Sequence, residues 1–436
     1  MARRKAHVPL AVFLNSRRVG RLDKEPSGAI AFTYHPDWLA RDHALPVSLS
    51  LPLREERYAG APVVAVFDNL LPDAAHIRAR VAERVGAGGT DAYSLLAAIG
   101  RDCVGAMQFV PDGDDDGDDG RDPPPTPLDD DQVGQLIAGL ARAPLGVDTG
   151  EDADFRISVA GAQEKTALLR RDGRWFRPHG RTPTTHILKP QIGAIQTPGG
   201  PIALSNSVEN EFYCLKLLSL FGLNTANVEI AEFGPRKVLV VERFDRRPTA
   251  GGRLIRLPQE DCCQALSVPP SQKYQNEGGP GVVAIAELLK GSDAPFDDQR
   301  ALLKSQLLFW LIGAPDGHAK NFSVFLLPGG RFQLTPFYDV LTGQPSADAG
   351  EIRRNRFKLA MSIGGHYRMD EVAGRHFVET AARARIPPRL TTEVMEEVAD
   401  TAAAAFEKVV EEMPPAFPEQ LHASVRRAAE ARLRFF

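Results

Sequence analysis

Between Asp112 and Asp131 the chain reads DGDDDGDDGRDPPPTPLDDD, and no long regular element crosses such a stretch. Ten aspartates against one arginine give it a local charge of −9. Repulsion among them keeps the backbone extended and solvated, while glycine and proline deny it helix and strand. The sequence therefore predicts an N-terminal subdomain over 1–111, an acidic flexible linker over 112–131, and a larger region over 132–436. The linker also hides the character of the rest. The 436 residues carry a formal charge of −4, but everything outside the linker carries +5. Its start resembles a calcium loop, Asp112-x-Asp114-x-Asp116-Gly117, yet Pro123 stands at the twelfth position, where such a loop uses a bidentate glutamate. A plain linker is the simpler reading.

With 43% hydrophobic and 25% charged residues, the chain is too apolar for a disordered protein and too polar for an integral membrane one. Its longest strongly apolar stretch, near Leu307–Ile312, falls far short of the ~20 residues of a spanning helix. Val8–Leu14 follows Arg3, Arg4 and Lys5 but ends in Asn15, Ser16 and two arginines, and reads as a strand rather than a signal peptide. Cys103, Cys214, Cys262 and Cys263 form no C-x-x-C pair, as expected of reduced thiols in a cytoplasmic protein.

Strand patterns occur at Leu10–Leu14 and Ala29–Tyr34, helical ones at Ala74–Val85 and Ala92–Ile99. After the linker come strands at Ile157–Leu169 (with a turn at Gly161), Thr185–Leu188 and Val238–Val241, and a helix at Val208–Phe221. Thus 151–250 reads as strand-rich. Residues 256–436 read as mainly helical, with a helix at Leu302–Ile312, a hairpin from Phe322–Leu327 to Phe332–Thr335, and helix over Thr391–Phe436. The expected fold is α+β with two lobes.

Asp316 and Asn321 lie five apart in Ala314-Pro-Asp-Gly-His-Ala-Lys-Asn321, between an apolar helix and an apolar strand. That is the separation of base and metal-binding amide in the kinase loop H-R-D-x-x-x-x-N. The aspartate accepts the proton of an attacking hydroxyl, and the amide oxygen reaches a magnesium ion on the phosphates. An ordinary polar turn is the alternative. Asp339, just after the hairpin in Pro336-Phe337-Tyr338-Asp339, stands where kinases place a second metal-binding aspartate, and could equally cap a turn. Thr185–Leu188 presents Lys189, a strand lysine suited to nucleotide phosphates. Glu211 falls on the apolar face of Val208, Phe212, Leu215 and Leu218, so it needs a cationic partner, and Lys189 is the best local candidate. Only 12 of 52 basic residues are lysines, which singles out Lys165, Lys189 and Lys320 as compact charges for phosphate. Ala160-Gly161-Ala162 could bring backbone N–H groups close to phosphate, or form a plain hairpin turn. The exit of the strand Val238–Val241 could bind adenine through its backbone, or be a core strand with a charged end.

In this order, from small-residue turn through strand lysine, helix glutamate and hinge-like strand to the D-x4-N loop and terminal aspartate, the motifs follow the plan of a protein kinase. The chain resembles the HipA family, the serine/threonine kinase toxins of bacterial HipBA toxin–antitoxin modules. The resemblance runs through FDNLLPD (Phe67–Asp73), ISVAGAQEKTALL (Ile157–Leu169), THILKP (Thr185–Pro190), NEFYCL (Asn210–Leu215), VERFDRR (Val241–Arg247), RLPQEDCCQ (Arg256–Gln264), KYQNEGGPG (Lys273–Gly281), DGHAKNFSVF (Asp316–Phe325) and LTPFYD (Leu334–Asp339). It implies a two-lobed protein-kinase-like fold that uses ATP and Mg2+. Asp316 is then the catalytic base, Asn321 and Asp339 the magnesium ligands, and Lys189 the phosphate-binding lysine. Ala160, Gly161, Ala162, Gln163, Glu164 and Lys165 match the phosphate loop, and Glu242, Arg243 and Phe244 the adenine hinge. His318, Ala319, Lys320 and Asn321, with Tyr338, Asp339, Val340 and Leu341, match the rest of the nucleotide site. Ser158 matches a serine whose autophosphorylation ejects the phosphate loop and switches the kinase off.

The family's targets are translation components, glutamyl-tRNA synthetase above all, and their phosphorylation arrests growth or induces persistence. Its partner is a HipB-type helix-turn-helix antitoxin, with which it acts as corepressor on operator DNA; no membrane is involved. Pro315 before Asp316 and the long acidic linker depart from the family pattern without removing a catalytic group. A kinase-fold corepressor with little catalysis, and a small-molecule phosphotransferase, share the same constellation.

Overall fold

The first strand of the computed structural model, β1 (Leu10–Leu14), is buried at all five positions, as a strand must be when both faces are covered. Residues 7–113, 124–140, 145, 163–197, 199–204 and 206–436 are described. With β2 (Arg17–Lys24), β3 (Ile30–Tyr34), β4 (Tyr58–Ala59) and β5 (Met107–Pro111), β1 builds a sheet of order β4-β3-β2-β1-β5. Asn15 and Ser16, between β1 and β2, both take positive φ, the geometry of a tight hairpin turn. The Asn15 side chain then grips the Arg256 backbone, donating to its carbonyl at 2.7 Å and accepting from its N–H at 2.8 Å.

A second sheet begins with β6 (Thr126–Leu128), β7 (Thr166–Arg171), β8 (Arg174–Arg177) and β9 (His186–Pro190). The chain next forms a separate hairpin of β10 (Ala194–Thr197) and β11 (Gly200–Ala203). It returns through β12 (Val228–Phe233) and β13 (Arg236–Glu242), giving the order β12-β13-β9-β7-β8-β6.

The chain divides into two compact units, but not at the acidic segment. The first comprises residues up to Pro190, Ala231–Ser271 and Val324–Arg331; the second comprises Gln191–Ile230, Gln272–Ser323 and Phe332–Phe436. Phe32, Phe67 and Phe109 of the N-terminal region share one apolar core with Leu168, Trp175, Leu188 and Val240 of the second sheet. The N-terminal subdomain expected over 1–111 does not close its core alone: a sheet with an apolar face must bury it on a neighbour, and here the neighbour comes from beyond the acidic segment.

The C-terminal end of the linker expected over 112–131 is regular structure instead. Thr126–Leu128 is β6, paired with β8. Asp129 caps the helix Asp130–Gly139, accepting the Gln132 N–H at 2.8 Å in a capping box, and Asp130 and Asp131 fill its first turn. Carboxylates at a helix N-terminus satisfy orphan N–H groups and complement the macrodipole, so part of a cluster read as self-repelling is helix-capping. At the other end Asp112 pairs with Arg18 at 3.0 Å. Residues 114–123 lie outside the described residues.

The second unit centres on the helix Pro295–Ile312. It opens with Pro295 and two first-turn aspartates, and stops at Gly313, whose φ of +70° ends the helix in the left-handed region. Every residue from Leu302 to Ile312 is buried. Pro388–Glu411 and Glu419–Leu433 pack against this helix, and Ser207–Leu220 packs against the first of them. Lys304, 4% exposed, meets Glu397 at 2.8 Å. All four cysteines are buried and free.

Two buried acids of the first unit contrast. Asp102 accepts from Arg246 at 2.9 Å, Arg256 at 2.8 Å, Arg243 at 3.3 Å and the Thr184 hydroxyl at 2.7 Å. Burial pushes its carboxyl up, but Arg246, Arg256 and Arg243 together hold it well below the usual carboxylate range. Burial, and then the like charge of Arg243, push Arg246 down to about 10. Glu260 is equally buried but faces no arginine in this way: it accepts the Leu49 N–H at 2.7 Å, and burial pushes its carboxyl up to about 8.

Asp102→Ala leaves three buried guanidiniums short of counter-charge, and urea unfolding is expected to show a loss of about 3–5 kcal/mol. Glu260 binds its proton more tightly folded than unfolded. Its contribution is fully present below pH 4.5 and is lost as pH rises through about 8. Thermal unfolding of the wild type is expected to weaken over that window, while Glu260→Gln flattens the decline and is the more stable form at pH 9. A wild-type slope that persists unchanged in Glu260→Gln contradicts this assignment.

Candidate active site

In the second unit the helix Pro295–Ile312 delivers the chain to the segment carrying Asp316. Gly317 is required there, since a Cβ on it would meet the Phe309 ring at 2.5 Å. The backbone then tightens: the His318 N–H donates to the Asp316 carbonyl at 2.8 Å, and the Asn321 N–H donates to the His318 carbonyl at 2.9 Å. Ala319–Asn321 forms one 3-10 turn with all three residues buried. The side-chain nitrogen of Asn321 donates to the Asp316 carbonyl at 2.9 Å and to the Asp339 carbonyl at 3.3 Å. One amide thus ties the two segments that carry Asp316 and Asp339.

Asp339 adopts φ +60°, a conformation tolerated by aspartate but rare outside glycine. Its neighbours hold it in place. The Tyr338 hydroxyl donates to the Lys320 carbonyl at 2.8 Å and accepts from Ser323 at 2.6 Å. Three residues on, the Thr342 hydroxyl donates to the Ile312 carbonyl at 2.5 Å, at the end of the central helix. Asn210 and Thr342 exchange hydrogen bonds at 2.8 Å in each direction, linking the helix Ser207–Leu220 to the same segment. Val340 and Leu341 are buried, Leu341 in a small apolar cluster with Ile202 and Leu204. Glu211 is 2% exposed, as its place on the apolar stripe predicts.

Asp316 itself is partly open, its side chain 24% exposed. One carboxylate oxygen accepts the Tyr274 hydroxyl at 2.6 Å, and the other lies 4.0 Å from Nε2 of His318. Tyr274, Thr342 and Asn210 were not singled out as site residues from sequence. Tyr274 and Asn210 fall in the quoted stretches KYQNEGGPG and NEFYCL, whereas Thr342 lies three residues beyond LTPFYD and carries no such signal.

In the first unit, Lys165 and Lys189 are 5% and 6% exposed. Thr166 pairs with Leu188, so the antiparallel register brings Lys165, one residue before β7, level with Lys189 on β9. Gln163 donates to the Pro190 carbonyl at 3.3 Å, and Glu164 pairs with Arg80 at 2.8 Å. Glu242, exposed, ends β13 opposite His186. Phe244 is half-buried, edge-on to Phe325 at 5.9 Å.

The expectation that Arg243 lines the nucleotide site is corrected. Its side chain is buried in a two-pronged pair with Asp245 at 3.0 and 2.8 Å and reaches Asp102, while its N–H donates to the Thr185 carbonyl and its carbonyl accepts from Arg246. A guanidinium taken out of water must be fully paired, and this one is satisfied by protein. Ser158, Ala160, Gly161 and Ala162 lie outside the described residues. Among the described residues there is no cluster of three His, Cys, Asp or Glu side chains able to hold a metal ion, and no helix long and apolar enough to cross a membrane.

The HipA N-terminal domain matches residues 10–110, and the HipA-like C-terminal domain matches residues 157–406. Protein Y4mE of Sinorhizobium fredii is 34% identical over 92% of both chains. The serine/threonine-protein kinase toxin HipA of Shewanella oneidensis is 28% identical over 93% of this chain and 90% of its own. Among solved structures, the complex of Shewanella oneidensis HipA, HipB and operator DNA superimposes with a TM-score of 0.79 at 25% identity, covering 98% of this chain and 96% of the other. With both domains matched in order around the Asp316, Asn321 and Asp339 segments, the chain belongs to the HipA family of kinases.

Proposed function

We propose that this protein is the toxin of a HipBA-type module, a serine/threonine protein kinase that uses Mg-ATP. The observation that carries the reading is the Asn321 amide joining the Asp316 and Asp339 segments. With its nitrogen given to two carbonyls, Asn321 turns its oxygen away from them. That oxygen and the Asp339 carboxylate make a hard, two-ligand set suited to a magnesium ion completed by phosphate oxygens and water. When bound, the ion neutralises phosphate charge. Lys165 and Lys189 offer two ammonium groups at one strand level, suited to phosphate. Glu242 and Phe244 frame the adenine.

Asp316 acts on the substrate. Its carboxylate takes the proton of a serine or threonine hydroxyl as that oxygen bonds to the γ-phosphorus. The bond from the γ-phosphorus to the β-γ bridging oxygen breaks, and ADP leaves. The substrate is a translation component, glutamyl-tRNA synthetase being the class the family resemblance favours, and its phosphorylation arrests growth. Ser158 is the autophosphorylation site. A HipB-type antitoxin is the partner, and operator DNA is contacted through that complex. These assignments rest on the family and on the relative solved with HipB and operator DNA.

Incubation with labelled ATP and magnesium is expected to label Ser158 and a protein substrate. Asp316→Ala should lower the rate by about 10²–10⁴-fold while leaving the protein folded. A wild type that transfers no phosphate, or an Asp316→Ala variant that matches it, removes the kinase reading in favour of a binding module. Labelling of a small molecule alone points instead to a small-molecule phosphotransferase.

A further inference from the structure

The stretch Lys273–Gly281 has no role in the account so far, yet it touches the base. Tyr274 is 8% exposed and donates its hydroxyl to Oδ1 of Asp316 at 2.6 Å, while its ring stands edge-on to His318 at 5.0 Å between centroids. The Lys273 carbonyl accepts the Ala319 N–H at 3.4 Å, so this stretch also supports the turn that follows the base.

The stretch cannot easily move. A Cβ on Gly279 would fall 2.0 Å from the Gln272 carbonyl oxygen, and one on Gly281 would fall 2.4 Å from the Gln275 side chain. Backbone packed this closely tolerates only glycine at position 279, while Gly281 leaves room for the Gln275 side chain. Gln275 is fixed in turn, its oxygen accepting from the Ser362 N–H at 2.7 Å and the Ser362 hydroxyl at 3.2 Å. The phenol is thus carried on a bracket anchored to the strand Lys358–Ile363.

We propose that Tyr274 is the positioning residue of the catalytic base: its hydroxyl holds one carboxylate oxygen of Asp316, setting the plane in which the substrate hydroxyl is met. This rests on the kinase reading of Asp316. A pseudosubstrate hydroxyl, which would have to leave for catalysis, is a poorer description of a phenol this buried and this firmly held.

Tyr274→Phe removes one oxygen and keeps the ring. Its kcat is expected to fall about 10- to 100-fold with KM for ATP unchanged. Tyr274→Leu, which also gives up the ring contact with His318, should fall at least as far in kcat, again with KM for ATP unchanged. A Tyr274→Phe enzyme with wild-type kcat overturns the proposal, as does one whose loss lies entirely in KM for ATP, or one faster than wild type. None of those outcomes touches the kinase reading, which fails instead if Asp316→Ala stays active alongside the wild type.

Discussion

A single carboxamide holds together the two backbone segments that carry Asp316 and Asp339, the acids for which we propose different tasks. Asn321 spends its side-chain nitrogen on the Asp316 and Asp339 carbonyls, so the backbones that carry the acids are fixed while the carboxyl groups remain for chemistry. The rest of the second unit supports this link. Gly313 ends the central helix, Thr342 ties the Asp339 segment back to that helix end, and Asn210 braces Thr342. Asp339 keeps an uncommon backbone conformation because its surroundings over-determine it.

Much of this was legible in the sequence because apolar periodicity reports burial directly. The strand at Leu10–Leu14 and the helix at Ala92–Ile99 have the boundaries expected, and the helices at Ala74–Val85 and Val208–Phe221 differ from expectation by one residue. The D-x4-N spacing located Asp316 and Asn321, since a short loop between helix and strand leaves few ways to arrange them. What stayed hidden depends on contacts between residues distant in sequence. Nothing local says that Asp129 caps a helix rather than extending a linker, or that Arg243 reaches back to Asp102, 141 positions away. Tyr274 lies 42 positions before Asp316, and no local pattern links the two.

Charge tells the same story at larger scale. The acidic segment makes the chain look like an acidic protein, but its last aspartates are capping groups, and the basic remainder includes arginines spent internally on Asp102 and Asp245. Net charge of either sign is therefore a poor guide to partners here. Geometry around individual groups decides whether a cation is structural, like Arg243 and Arg246, or placed for phosphate, as proposed for Lys165 and Lys189.

The central claim is that Asp339, held by Asn321, binds the metal of Mg-ATP, whereas Asp316 acts only on the proton. Calorimetric titration of ATP with and without magnesium separates the two roles. Asp316→Asn is expected to bind Mg-ATP as the wild type does, while Asp339→Asn is expected to lose the gain in affinity that magnesium confers. Wild-type Mg-ATP affinity in Asp339→Asn, or lost affinity in Asp316→Asn, contradicts this claim.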